Sequence, residues 1–183
     1  MVEPLLHFAV PFASLQALGL DWRKAAVASA IALTPDLDVF FLVHRSLSHS
    51  AVVPAAVALA LMAFTFLIPI GKRRTVRSVI LLGAFGVSTH LLLDLLTDYT
   101  PILWPLLNYS FFISIDLQLR MGSLPMVTGS VELLAEPTVF EPFTSLDVPV
   151  LTGEGVSVFL ILLIPSIVRT VRNRASGNIQ PEL

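Results

Sequence analysis

The sequence has no cysteine and few charged residues. Of its 183 residues, 13% are charged and 55% are hydrophobic, whereas soluble domains have about 25% charged and about 45 to 50% apolar residues. The absence of cysteine excludes disulfides, thiolate metal sites and cysteine nucleophiles, so any metal ion must be bound by His, Asp or Glu. The formal net charge of -2 gives no overall basic field, and no nucleic-acid partner is expected. The composition indicates a membrane protein.

Long apolar runs predict about five transmembrane helices. A helix that crosses a bilayer needs about 20 mostly apolar residues. The runs cover residues 4–20, 25–43, 51–70, 78–94 and 155–168. Pro35 should end the second helix at about Leu33, because proline cannot donate a helical hydrogen bond. The expected fold class is an all-α membrane protein, with residues 1–183 forming one membrane-embedded domain.

The segment from 98 to 153 differs from the rest, because it is richer in Pro, Thr, Ser and acidic residues. Residues 113–120 alternate strictly between apolar and polar side chains, which is typical of a β-strand. Residues 121–125 can turn the chain and residues 126–134 can return it. We therefore predict a small extramembrane β-hairpin, within an excursion between the fourth and fifth helices.

The positions of the basic residues predict the orientation. Nine of the eleven Lys and Arg residues lie in three short connections, at 21–24, 71–77 and 169–174. By the positive-inside rule these connections are cytoplasmic. An integral protein of the cytoplasmic membrane is expected, with its N-terminus outside, five crossings and its C-terminus in the cytoplasm.

In this topology the histidines and several acidic residues gather toward the outer face. They are His7, His44, His49 and His90, with Asp36, Asp38 and Asp94. His90 and Asp94 are four residues apart on a helix, so that both can contact one ion. Each piece alone also has a structural explanation, such as an i,i+4 hydrogen bond, a helix stop or a polar loop. Their conjunction in a chain with so few polar groups favours a shared metal site.

These motifs, taken in order, resemble the YdjM-type family of membrane-bound metal-dependent hydrolases. The resemblance covers roughly the first 105 to 120 residues and departs from the family pattern at two positions, where Val39 replaces a frequent His and Ser46 replaces a usual Gly. The matching motifs are His7, Leu33-Thr-Pro-Asp-Leu-Asp38, His44-Arg-Ser-Leu-Ser-His-Ser50, Ser88-Thr-His-Leu-Leu-Leu-Asp-Leu-Leu-Thr-Asp98 and Ile102-Leu-Trp-Pro105. That family is distantly similar to zinc-dependent phospholipase C and P1-type nucleases.

The resemblance implies a hydrolase that acts at the outer membrane face on a phosphoester, such as a lipid phosphate or phosphodiester. We expect one or two divalent ions, Zn²⁺ first, with Mn²⁺ or Fe²⁺ as alternatives. The expected ligands are His7, Asp36, His49, His90 and Asp94, with His44 as a further ligand or proton donor.

Two other residues receive catalytic roles in this interpretation. Asp38 is the candidate for orienting or deprotonating water, and Arg45 is the candidate for binding a phosphate oxygen. The location at the membrane suits a membrane lipid or another amphipathic substrate. Two alternatives stay open, namely an ion transporter and a non-catalytic protein in which the metal holds helices together.

Overall fold

The computed structural model describes residues 3–41, 45–121, 124–140, 142 and 151–175. Five α-helices and one two-stranded sheet occur in this part of the chain. They are α1 (Pro4–Ala17), α2 (Trp22–Ile31), α3 (Val52–Phe64), α4 (Ile70–Leu95), β1 (Tyr109–Arg120), β2 (Met126–Pro137) and α5 (Gly153–Ala175). Three short 3-10 helices, Pro35–Phe41, Leu47–His49 and Thr65–Leu67, connect the α-helices.

The prediction of five membrane-spanning helices is wrong. Among the described residues, α4 alone is long and apolar enough to cross a bilayer, with a length of about 39 Å at about 1.5 Å per residue. Helix α1 reaches only about 21 Å, against a hydrocarbon layer of about 30 Å. The apolar part of α5 is also short and ends at Pro165.

Local signals end the helices earlier than the apolar runs suggest. Gly19 has a φ of 89°, and Leu20 donates a backbone hydrogen bond to Leu15, so α1 closes in a left-handed C-terminal turn. Pro35 begins a 3-10 helix after α2, close to the predicted stop, and Pro69 precedes α4. A count of apolar residues could not distinguish those in an α-helix from those in the turn that follows it.

The basic segments are also placed differently from the prediction. Residues 71–77 and 169–174 lie inside α4 and α5, and residues 22–24 begin α2, so none of these basic segments is a loop. Lys and Arg are good helix formers, which explains why α4 begins at Ile70 and not near Ser78.

The predicted β-hairpin is confirmed. Strands β1 and β2 are antiparallel and pair from Tyr109 with Pro137 to Arg120 with Met126. Two backbone hydrogen bonds between Thr100 and Phe111 fix its base to the segment that follows α4.

The helices pack through small side chains. Helix α2 contacts α1 and α4, and α1 also contacts α5. At the α2–α4 crossing, Gly86 lies directly against the backbone of Ala28, so that the two helices approach closely. The buried core is small and centres on Leu15, Ala25 and Ala28. None of the residues of α3 is buried, although every side chain in this helix is apolar.

Candidate metal centre

The buried interior contains a cluster of histidine and aspartate side chains from four separate segments. His7 comes from α1, Asp36 and His49 come from two of the 3-10 helices, and His90 and Asp94 come from α4. His49 and His90 are 0% exposed and Asp94 is 2% exposed. Polar side chains this deeply buried require partners, because an unpartnered polar group loses the hydration that it has in water.

Four ligand atoms in this cluster form a compact group. His49 Nε2 and His90 Nε2 are 3.4 Å apart, and Asp94 Oδ2 lies 3.3 and 3.2 Å from them. Asp36 Oδ1 lies 3.6 Å from His49 Nε2 and 3.5 Å from His90 Nε2. Ligand atoms of a tetrahedral zinc site, each about 2.0 to 2.1 Å from the ion, are about 3.3 to 3.4 Å apart. Each of these five distances is close to the edge length of such a tetrahedron.

His7 lies beside this group and contacts the other oxygen of Asp94. His7 Nε2 is 3.5 Å from Asp94 Oδ1, and the His7 ring stacks on the His90 ring with centroids 3.7 Å apart. His7, His90 and Asp94 together form a second set that can hold a metal ion, and it shares His90 with the set of Asp36, His49 and His90. Asp94 belongs to the second set and also lies 3.3 Å from His49 Nε2 in the first.

Asp38 lies behind His49. Its Oδ2 atom is 3.1 Å from His49 Nδ1, the ring nitrogen opposite the one in the cluster. The same oxygen accepts hydrogen bonds from the backbone N–H and hydroxyl of Ser46 and from the hydroxyl of Ser48. A carboxylate bound to the second nitrogen of a histidine fixes the orientation of its ring and is typical of metal-binding histidines.

Arg45 brings a buried positive charge to the edge of the cluster. It is 8% exposed and has a φ of 57°, a left-handed conformation that is uncommon for a residue with a side chain. Its Nη1 atom donates to the Tyr99 carbonyl and is 3.0 Å from Asp98 Oδ2, while Nη2 is 3.5 Å from Asp94 Oδ1. Within the described part of the chain, Nε and Nη2 have no hydrogen-bond acceptor.

The charges of the cluster do not balance within the protein. Asp36, Asp38 and Asp94 carry three negative charges, and Arg45 carries one positive charge, which leaves -2 when the imidazoles are neutral. Asp98 is half exposed and is screened by solvent. One divalent cation would neutralise this excess.

The histidine pKa values respond to this imbalance. Burial alone would lower the pKa of His49, but the carboxylates of Asp36 and Asp38 raise it to about 9. Burial lowers the pKa of His7 and outweighs the opposite influence of Asp94. Without a metal ion, a protonated His49 ring thus offsets one of the two excess negative charges, and a metal ion that binds His49 Nε2 would displace this proton. His7 favours the neutral state that metal ligation requires.

A comparison with protein families identifies the chain. The family model described as YdjM inner membrane protein matches residues 2–174. The chain belongs to this family. No curated protein and no solved structure matches the chain.

Membership of the YdjM family makes the chain a membrane protein, in agreement with its composition and with the length of α4. The matched region includes every residue of the cluster. The motifs that carried the resemblance also meet in space. Ala51 donates to the Ile102 carbonyl, and the Ser50 hydroxyl donates to the Trp104 carbonyl, so the Leu-Trp-Pro segment packs against the loop that carries His49.

Of the predicted site residues of this YdjM protein, most lie together and one cannot be placed. The cluster contains His7, Asp36, His49, His90 and Asp94, with Asp38 and Arg45 next to it, while His44 lies outside the described residues. Sequence reasoning missed the contacts of Ser46 and Ser48, whose hydroxyls donate hydrogen bonds to Asp38. The sequence feature that could have indicated this role is their position on either side of Leu47, directly before His49.

Proposed function

We propose that this protein is a membrane-bound metal-dependent hydrolase that acts on a phosphoester, such as a lipid phosphate or phosphodiester. The observation that carries the proposal is the group of four ligand atoms from Asp36, His49, His90 and Asp94, in which five of the interatomic distances are 3.2 to 3.6 Å and the histidines and Asp94 are buried. Family membership supports the membrane location.

The donors of this chain fit a divalent transition metal. Asp94 Oδ2 is buried and has no hydrogen-bond donor among the described residues, so a cation would compensate for its lost hydration. Two imidazoles and two carboxylates are donors that Zn²⁺ takes in proteins, and the same donors accept Mn²⁺ or Fe²⁺. When bound, such an ion lowers the pKa of water toward about 7 and polarises a phosphoryl oxygen.

Three of the four donors are buried, and the fourth is more accessible. The side chains of His49 and His90 are fully buried and that of Asp94 is 3% exposed, whereas the Asp36 side chain is 21% exposed. Asp36 therefore marks the side from which water reaches the cluster. A catalytic zinc site keeps a position for water or substrate, and Asp36 is the donor whose displacement would open one.

Arg45 would bind the anionic oxygen of a phosphoester. Its Nε and Nη2 donors are buried and make no hydrogen bond to any residue that the structure describes, although Nη2 is 3.5 Å from Asp94 Oδ1, and a guanidinium binds phosphate oxygens well. Arg45 also lines a cavity of about 450 Å³ between the end of α4 and the base of the hairpin, together with Asp98, Ser110, Glu136 and Thr138. This cavity has room for a polar group of the substrate.

Asp38 receives a different role from the one predicted from the sequence. Its Oδ2 atom accepts from Ser46, Ser48 and His49, so it orients the His49 ring and raises the basicity of that ring. We propose that Asp38 is a positioning residue, in place of the water-orienting role.

We further propose that the site faces the outside of the membrane. Lys72, Arg73, Arg74 and Arg77 lie in the first turns of α4, and His90 and Asp94 lie about 27 Å further along this helix. If the basic end is cytoplasmic, as the positive-inside rule requires, the metal cluster lies at the opposite side. Because the chain lacks cysteine, single cysteines at Thr75 and Leu47, both exposed, would report sidedness. Labelling of Thr75→Cys from outside intact cells would contradict this orientation.

A second candidate is a structural metal site. If Asp36, His49, His90 and Asp94 all bind one zinc ion, they complete its coordination, and closed sites with four protein donors stabilise folds without catalysis.

Hydrolysis assays distinguish the two candidates. The purified protein is tested on lipid phosphodiesters, lipid phosphomonoesters and carboxyl esters, with and without chelator. We expect chelator-sensitive phosphoester hydrolysis that Arg45→Lys reduces while the metal content stays unchanged, because Lys offers a point charge and not a planar set of donors. Stoichiometric metal with no turnover of any substrate, together with lower thermal stability after chelation, would support the structural site instead.

A further inference from the structure

The β-hairpin has one entirely apolar face. In an antiparallel pair, directly opposite residues point to the same side and successive residues alternate between sides. From Phe111 to Leu119, one side therefore carries only apolar residues: Phe111, Ile113, Ile115, Leu117 and Leu119 from β1, and Val127, Gly129, Val131, Leu133 and Ala135 from β2. The charged residues Asp116, Arg120, Glu132 and Glu136 are all on the other side.

This apolar face is exposed along most of its length. Leu117 is 74% exposed, Val131 is 73% exposed, and the apolar residues Met121 and Leu124 near the tip are exposed as well. Only the base of β1, from Ser110 to Ser114, is partly covered. A two-stranded hairpin is marginal in water by itself, and a continuous exposed apolar surface marks a contact with a partner or a membrane.

The base of the hairpin lies near the end of the helix that can cross a bilayer. Helix α4 ends at Leu95, and Thr100 is bonded to Phe111 by two backbone hydrogen bonds. The Tyr99 ring also contacts the Phe112 ring. The hairpin therefore begins close to where α4 would leave the hydrocarbon layer, and Tyr99 and Tyr109 are residue types that favour this boundary.

The chemistry of the face favours lipid over a protein partner. Apart from Phe111 it consists of Ile, Leu, Val, Ala and Gly, without the Tyr, Trp, Met and Arg that are enriched in protein interfaces. Because it carries no charge, contact with acyl chains would desolvate no ion. The hairpin cannot cross the bilayer, because the outer backbone edges of its two strands would lose their hydrogen bonds to water.

We infer that the β1–β2 hairpin lies flat on the bilayer, with this face among the upper acyl chains and the side that carries Asp116 and Glu132 toward water. The inference does not depend on the proposed hydrolase activity. The hairpin would stay outside the membrane core, as predicted from the sequence, but it would rest on the surface of the bilayer.

Single cysteines on the two sides test the inference in the full-length protein. The chain has no native cysteine, so Leu117→Cys and Gln118→Cys, on neighbouring residues of opposite sides, are labelled with an environment-sensitive fluorophore in nanodiscs. The lipids carry bromine in their acyl chains for one measurement, and aqueous iodide is added for the other. We expect the emission of the label at residue 117 to shift to shorter wavelength, to be quenched by bromine and to be protected from iodide. The emission of the label at residue 118 should stay at longer wavelength, be quenched by iodide and be unaffected by bromine.

A second pair of single-cysteine variants controls for a local distortion of β1 by the label. Val131→Cys and Ser130→Cys occupy the corresponding sides of β2 and should repeat the contrast. Iodide quenching at both residue 117 and residue 131 would overturn the inference. Protection from both quenchers, with dipolar coupling between spin labels on separate chains, would also overturn it and would assign the face to a second copy of this protein.

Discussion

The metal cluster and the β-hairpin depart from the ordinary distribution of polar and apolar residues in opposite directions. In the cluster, His49, His90 and Asp94 are ionisable yet buried, whereas in the hairpin Leu117 and Val131 are apolar yet exposed. The cluster joins four distant segments, while the hairpin is built from one continuous stretch of chain.

We expect each region to need a component that the polypeptide does not supply. The cluster brings carboxylates and imidazoles within 3.2 to 3.6 Å of one another, and a divalent cation would satisfy them. The hairpin has an uncharged apolar face, which acyl chains satisfy. Changes in one region should therefore leave the other intact. Measuring the metal content distinguishes substitutions that affect the cluster from those that affect only the hairpin.

The largest effect should follow from loss of a buried ligand. His90→Ala removes the imidazole that contacts His49, Asp36 and Asp94. Changing a residue that only supports a ligand lowers metal affinity about 10- to 100-fold, and we expect a larger loss of affinity, and therefore of bound metal, here. Elemental analysis of detergent-purified protein measures this, with Asp116→Asn on the hairpin as the matched control. Unchanged stoichiometry in His90→Ala would remove His90 from the site.

A smaller loss is expected when the support of His49 is weakened. Asp38→Asn keeps the shape of the side chain but removes the charge that orients the His49 ring, and metal affinity should fall about 10 to 100-fold. Ser46→Ala removes only one of the donors to Asp38 and should have less effect. Competition with a fluorescent chelator gives both affinities. Equal affinity for Asp38→Asn and the parent protein would show that Asp38 does not support a ligand.

The close crossing of α2 and α4 should affect the stability of the fold that carries the cluster. In Gly86→Ala the new methyl group would collide with the Ala28 carbonyl oxygen, and we expect a loss of about 1 to 3 kcal/mol. In Gly71→Ala nothing lies near the added methyl group, and the change should be neutral or stabilise by up to about 1 kcal/mol. Thermal unfolding in detergent compares the two variants. Similar melting temperatures for both would argue against this crossing.

The smallest effect on metal content should come from the hairpin. Val131→Asp places a charge in the exposed apolar face, at a distance from the cluster, and the metal stoichiometry should not change. Ser130→Asp puts the same charge on the polar side as a control. Elemental analysis of both variants provides the measurement. Loss of metal from Val131→Asp alone would mean that the two regions are not independent.

The sequence predicted local features well. The alternation over 113–120 identified β1, because the two-residue period of a strand is visible in a short stretch. Likewise, the four-residue spacing of His90 and Asp94 placed both side chains on one side of α4. The gathering of distant ligands could be anticipated only from the order of several motifs and the family that they resemble.

The number of membrane-spanning helices could not be predicted from apolar content. Pro35 interrupts one apolar run, Gly19 and Pro69 lie where two others end, and the basic residues 72–77 extend α4 where a loop was expected. The role of Asp38 was equally hidden, since only the fold shows that it reaches the far nitrogen of His49. Contacts between distant segments determine such roles, and local sequence does not encode them.

X-ray absorption spectroscopy of the protein purified without chelator tests the central claim most directly. If His49, His90, Asp36 and Asp94 bind one zinc ion, the spectrum should show two imidazoles and two oxygen ligands at about 2.0 to 2.2 Å, and His90→Ala should lose this pattern. A metal shell without imidazole, or protein that contains no metal and still hydrolyses its substrate in the presence of chelator, would contradict the account.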